Sequence, residues 1–172
     1  MTAQEIYAIA PDNNGWRKLP NGNYVKIGYG VWIGNGVKLG NFVNLGNRVK
    51  LDNYVTLGND VTLGDGVKLG NDVKLGNDVK LGNRVKLGDG VKLGDDVKLG
   101  DNVTFDRTPP QIQGPQYLVY PYSREKIGVG CQIHTLEFWE ENMGKIAENY
   151  GVSPEDAEEY LSYVRLIAKK MA

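Results

Sequence analysis

Val73-Lys74-Leu75-Gly76-Asn77-Asp78 is followed at once by Val79-Lys80-Leu81-Gly82-Asn83-Arg84 and then by Val85-Lys86-Leu87-Gly88-Asp89-Gly90. The same six-residue unit runs without insertion from residue 21 to residue 104, fourteen times. Counted from the residue before each glycine, position five is Val in every hexad, from Val25 to Val103. Position one is Ile27, Ile33 and then Leu from Leu39 to Leu99; Asn21 is the exception at the start and Phe105 closes the series. Two apolar positions two apart, recurring every six residues, fit no amphipathic helix, whereas a strand puts residues i and i+2 on one face. Each hexad therefore reads as one short strand and one tight corner.

The corners have the expected chemistry. Position two is Gly in thirteen hexads, with Asp52 the exception, and position three is Asn or Asp in all but one, Tyr29. Such residues tolerate positive φ and make local side-chain to backbone bonds, which suits a turn that recurs every six residues. Position four is also often permissive, as at Gly30, Asp60, Gly66, Asp78 and Asn102. Alternating strands and corners close into a coil.

Ile27-Gly28, Ile33-Gly34 and the run from Leu39-Gly40 to Leu99-Gly100, with Val two residues before each Leu, resemble the hexapeptide-repeat, left-handed parallel β-helix family. The resemblance implies three hexads per coil, left-handed winding against the usual right-handed crossover, and assembly as a homotrimer. Fourteen uninterrupted hexads make a specific repeat signal. At eighteen residues per coil the fold class is an all-β left-handed parallel β-helix of about 4–5 triangular coils, about 22 Å tall at a strand spacing of ~4.8 Å.

The 172-residue chain has room for this prism and an appendage. The formal charge of −1 argues against a general nucleic-acid or membrane-surface binder. Residues 21–104 hold eleven Lys and Arg against nine Asp, whereas residues 105–172 hold seven against ten acids. The single Cys131 excludes an internal disulfide, and neither a signal peptide nor an apolar run of spanning length is read. The expected location is cytoplasmic.

Residues 1–20 lack the hexad. A coil stack leaves an unpaired edge and an open apolar core at its ends, so this segment, with Ile6, Tyr7 and Ile9, is expected to cap the first coil. Residues 21–107 form the β-helix. Thr108-Pro109-Pro110 ends it. Residues 108–134 read as a linker followed by two strands, Tyr117 to Tyr120 and Lys126 to Ile133. In the second strand Ile127, Val129, Cys131 and Ile133 share one face and Gly128, Gly130, Gln132 and His134 the other.

Residues 135–172 read as a helical hairpin. The first helix is capped by Thr135 and stops at Gly151, with Leu136, Trp139, Met143, Ile146, Ala147 and Tyr150 on its stripe. The second opens with Ser153-Pro154-Glu155-Asp156. The appendage is thus two strands and a helical hairpin. The segment from Ile127 to His134, followed by Trp139 and the Tyr160 to Ala168 helix, resembles the tail of uncharacterised hexapeptide-repeat proteins often encoded by phages and prophages.

Position six points outward and is Lys in nine hexads. Lys50, Lys68 and Lys86 are eighteen apart and form one ladder; Asp60, Asp78 and Asp96 form another along a corner. The plain reading is a solvated surface that keeps the coil soluble, with an anion-binding track as the alternative. Aromatic residues concentrate in the first coils, and Tyr24, Trp32 and Phe42 are the candidates for a trimer interface.

Many hexapeptide-repeat proteins are acyltransferases in which a His is the general base and the acyl donor lies between subunits, so the resemblance implies an acyl-CoA-dependent transfer with His134 as base. This chain has one His, and no loop interrupts its hexads to build an acceptor site. Cys131 and His134, three apart on a strand, face opposite sides and make no zinc site; no metal and no cofactor are expected. Tyr117, Tyr120, Arg124, Lys126, Gln132 and Trp139 are the ligand-binding candidates, suited to a small anionic or nucleotide-like molecule. No Gly-rich phosphate loop accompanies them. The favoured function is a non-catalytic homotrimeric scaffold whose partners are its own copies and a small ligand or host protein, with nucleic acid and membranes excluded. If phage-encoded, it would act in the host cytoplasm.

Overall fold

In a computed structural model, which describes residues 2–171, the chain divides into two compact units, Met1–Pro109 and Pro110–Ala172.

The first unit is a parallel β-solenoid. Residues pair with those eighteen further on: Val25 with Val43, Trp32 with Lys50, Lys38 with Thr56, and so on to Lys86 with Thr104. Three hexads therefore make one coil, and the coils stack into three parallel faces. Val at position five and Leu at position one fill the interior: Val43 to Val91 are fully buried and Leu45 to Leu99 nearly so. The ladder is continuous, with Lys50 N–H donating to Val67 O at 2.8 Å and Gly58 N–H to Leu75 O at 2.9 Å.

The corners work differently from the local-turn expectation. Apart from Gly22, at the first corner, positive φ belongs to position four, where Phe42, Arg48, Tyr54, Asp60, Asp78, Arg84 and Asn102 all adopt it beside Gly30, Gly36, Gly66 and Gly90. From Gly28 to Gly88 the position-two glycines have ordinary φ and stand where a Cβ would press on the next coil, although Asp52 carries a side chain at this position. A Cβ on Gly58 would lie 2.5 Å from Gly76 O and 2.8 Å from Asn77 N, in the backbone of the next coil. Position three bonds between coils and not locally. Asn53 Oδ1 accepts from Asn35 N–H at 2.8 Å, and Asn59 N–H donates to Asn77 Oδ1 at 2.9 Å. Each column ends on a carboxylate, Asp89, Asp95 or Asp101, which accepts from the rung before it and has no further rung to donate to.

Described residues before the first hexad fold against the first coil. Helix α1 (Ala3–Ala8) opens with a capping box between Thr2 and Glu5. It buries Ile6 completely and sends Tyr7 to donate to Gly28 O and accept from Val31 N–H. Arg17–Lys18 then pairs antiparallel with the first solenoid strand.

The second unit is a four-stranded antiparallel sheet carrying two helices, α2 (Leu136–Asn149) and α3 (Pro154–Met171). It has two strands more than the sequence suggests. Ile112–Gln113, within the expected linker, pairs with Leu118–Pro121. The expected single strand from 126 to 133 is a hairpin, Lys126–Val129 paired with Gln132–Thr135. Gly130, at φ 55, turns the chain there. The turn reverses the face assignment: Ile127 lies opposite His134 and Val129 opposite Gln132, so these four share one face. The helices start as expected, Thr135 Oγ1 accepting from Phe138 N–H and Ser153 Oγ from Asp156 N–H. Their stripes and the sheet enclose Val119, Ile127, Trp139, Tyr160, Val164 and Ile167. Tyr150 falls at the end of α2 and is exposed, outside the core its stripe position suggests. No helix among the described residues is long and apolar enough to cross a membrane.

Candidate functional site

The hairpin and the first turn of α2 bring His134, Gln132 and Trp139 together. His134 extends from the last strand onto α2, where its ring stacks on Phe138 (centroids 3.9 Å, 20° between planes) and meets Trp139 edge-on at 5.1 Å. Its Nε2 lies 3.3 Å from Gln132 Oε1. Gln132 Nε2 donates to the Tyr150 hydroxyl at 2.6 Å. Partial burial pushes the imidazole pKa below its usual value, and the nearby Lys126 ammonium adds to the shift. His134 is thus neutral near pH 7. With Nε2 held as a donor to Gln132, Nδ1 would be the acceptor nitrogen.

The other candidates separate into two groups. Trp139 and Tyr120 are buried to about 1% exposure and serve the core. Trp139 Nε1–H donates to Ile127 O at 3.0 Å, fixing α2 to the sheet. Tyr120 lies over Gly128, where a Cβ would sit 2.5 Å from its ring, and its hydroxyl donates to Gly130 O. Tyr117 is half-buried against Tyr160, whose hydroxyl accepts from both Gln116 and Tyr117 N–H at 2.7 Å. Arg124 and Lys126 are exposed on and beside the turn between the middle strands. Arg124 borders a hollow of about 380 Å³ that Glu125 and Glu137 also line.

A second, apolar hollow lies between sheet and helices, lined by Tyr117, Val129, Trp139, Met143, Ile146 and Tyr160, with Cys131 and Gln132 also on its wall. Its volume is about 40 Å³, room for one or two waters and far below the ~300–1,000 Å³ of ligand pockets. Phe138 and Tyr150, which hold His134 and Gln132, are the site residues that the sequence reading does not single out. Their only signal is aromatic spacing along α2, which also describes a packing stripe. Among the described residues no three His, Cys, Asp or Glu side chains gather as a metal site requires, and Cys131 is exposed at the hairpin turn.

Among the aromatics of the first coils, Tyr24, Phe42 and Trp32 occupy two columns, while Tyr29 and Tyr54 lie on others. Tyr24 and Phe42 stack at 5.7 Å with 11° between planes, and Trp16 meets Phe42 edge-on. Trp32 stands on another face, at the head of the column Lys50, Lys68 and Lys86, with Lys50 Nζ 5.2 Å above its ring. Phe42 and Trp32 are nearly half exposed, at 45% and 48%.

No curated protein sequence matches the chain. Among solved structures it is similar to the acetyltransferase domain of PglB from Neisseria gonorrhoeae FA1090, with 13% identity, a TM-score of 0.36, and coverage of 50% of this chain and 48% of that one. The chain therefore spans about half the length of that structure. Residues 72–107 match the family described as Bacterial transferase hexapeptide (six repeats). Taken with three hexads per coil in unbroken register, this match shows that the solenoid is a hexapeptide-repeat parallel β-helix.

Proposed function

We propose that the protein is a non-catalytic, homotrimeric scaffold: a rigid solenoid that carries the C-terminal unit as its binding element for a small anionic or nucleotide-like ligand or a host protein. The observation that carries this reading is the unbroken eighteen-residue register of the coils. No loop leaves the stack between residues 24 and 105 to shape an acceptor site. The imidazole of His134 is packed by Phe138, Trp139 and Gln132 within its own unit. The trimer contact in this reading lies at the amino-terminal coils, on Tyr24, Trp32 and Phe42. In this reading the scaffold is phage- or prophage-encoded, from the resemblance of its tail, and acts in the host cytoplasm.

The second reading is an acyl-CoA-dependent acyltransferase. The transferase family match over 72–107 and a neutral His134 favour it, since an imidazole unprotonated at pH 7 can take the proton of an acceptor amine or hydroxyl. One experiment separates the two. Thermal shift with nucleotides and acetyl-CoA is followed by assay of thiol release from acetyl-CoA with a panel of amine and hydroxyl acceptors, in wild type and His134→Ala. The scaffold reading expects no release in either protein. Release by wild type that is lost in His134→Ala overturns it. Light scattering should give three times the chain mass, and a monomer mass removes the trimer from the proposal.

A further inference from the structure

Two columns of the solenoid match each other in pitch and direction and are opposite in sign. Along one corner run Tyr24, Phe42, Asp60, Asp78 and Asp96; along one face run Trp32, Lys50, Lys68, Lys86 and Thr104. Each column steps by eighteen residues, one coil, so both repeat at ~4.8 Å along the prism. Both begin with aromatics at the amino-terminal end, half-buried Tyr24 and exposed Phe42 on the corner and exposed Trp32 on the face, and continue as charges, acidic on the corner and basic on the face. Pairing Phe42 with Trp32, Asp60 with Lys50, Asp78 with Lys68 and Asp96 with Lys86 gives the same offset each time, ten residues. That offset is a constant axial shift of ~2.7 Å, within the reach of a lysine side chain.

Except for Lys50, these charges form no ion pair among the described residues. Among the described residues the solenoid forms one ion pair, Lys50 with Asp52 at 2.9 Å. Asp60, Asp78, Asp96, Lys68 and Lys86 are exposed and form none. Stacked like charges one rung apart repel, so each ladder alone costs stability that an opposing ladder of equal pitch would offset. The basic face is reinforced at its leading corner by Arg48 and Arg84. The corner and face are different surfaces of one prism, and so cannot meet within one copy.

We infer that the acidic corner of one copy docks on the basic face of a second copy with the two prism axes parallel, stacking Phe42 against Trp32 and setting three Asp against three Lys. An antiparallel arrangement would place aromatics against charges. The contact joins unlike surfaces, so it is heterologous and repeats around a ring. It rests on the homotrimer reading above, and it adds the ladders that set direction and height.

Charge reversal tests it. Two sets are made in the full chain, Lys50→Asp/Lys68→Asp/Lys86→Asp and Asp60→Arg/Asp78→Arg/Asp96→Arg, together with the combination of both. Arginine is chosen for the corner because Arg48 and Arg84 already occupy the same position with φ of 56–57°. Circular dichroism checks that each variant keeps its solenoid, and light scattering at low and high salt reads the assembly. Each single set should weaken assembly at least tenfold, salt should weaken the wild type, and the combined set should restore the assembled mass. Wild-type assembly that neither single set disturbs overturns the ladder contact and leaves the trimer reading standing. A monomeric wild type overturns both. Loss of assembly in the singles without recovery in the combined, folded variant also overturns the pairing.

Discussion

The two units stabilise themselves in opposite ways. In the solenoid every coil repeats the same interactions with its neighbours, so stability is close to a sum of equal interfaces between rungs. No single side chain dominates: Leu51, Leu69 and Leu87 are interchangeable members of a column. The C-terminal unit has one core in which each residue has its own task. Trp139 ties α2 to the sheet, Tyr160 closes the turn before Leu118, and Tyr120 covers Gly128. A repetitive wall has few places to vary, whereas a unit of unlike contacts can place a polar group such as Gln132 or His134 in a particular surrounding. Binding is therefore sought in the second unit and self-association on the first.

The largest effect that would sharpen this contrast is Trp139→Ala, expected to cost about 3–5 kcal/mol and confined to one unit. Hydrogen exchange should show amides of residues 112–171 losing protection while those of the solenoid keep theirs; equal loss in both would break the contrast. Next comes glycine replacement, with opposite signs in the two units. Gly58→Ala forces a methyl into the next coil's backbone and should destabilise by about 1–3 kcal/mol. Gly144→Ala, with nothing within 4 Å in α2, should stabilise by about 0.5–1 kcal/mol. Denaturant midpoints read both, and a neutral Gly58→Ala would remove the steric account of position two.

Smaller still, Asn53→Ala deletes the acceptor of Asn35 N–H and the donor to Asn71 Oδ1, for about 1 kcal/mol. Asp95→Asn, at the end of its column, should fall below half of that loss in the same assay. The smallest expected effect is the pH response of His134. Its folded pKa is depressed by burial and then by Lys126, so the unfolded chain takes up the proton first, near the usual pKa of about 6.5. Stability from this group is full above that pH and declines as pH falls through it toward the folded value. His134→Asn should flatten thermal stability between about pH 7.5 and pH 6; a slope unchanged by the substitution would mean that His134 is not the group.

The period of six, with Val at position five and Leu at position one, was enough to read strands, corners and inward faces; stacking partners such as Tyr24 with Phe42 needed the eighteen-residue coil that the family resemblance implies. Helix starts at Thr135 and Ser153 were equally legible, because a cap residue, a proline and a following apolar stripe are local signals. The capping box at Thr2 and Glu5 carries the same kind of signal, yet six residues without a repeat around them do not stand out as a helix. Less was visible of the site. Gly130 at a sharp turn looks, in sequence, like Gly128 within a strand. That one turn moved Gln132 and His134 onto the face of Ile127 and Val129.

What the sequence determined by itself is the periodic part: which residues face inward and where the repeat ends at Pro109-Pro110; that eighteen residues close a coil came from the family resemblance and is seen in the strand register. The tertiary structure decided what depends on distance between segments far apart in the chain. Glycine at position two answers to a backbone eighteen residues away, asparagine at position three bonds across the same gap, and His134 owes its surroundings to α2. Periodicity fixes the direction a side chain points, whereas the close approach of one rung or element to another fixes what it meets there.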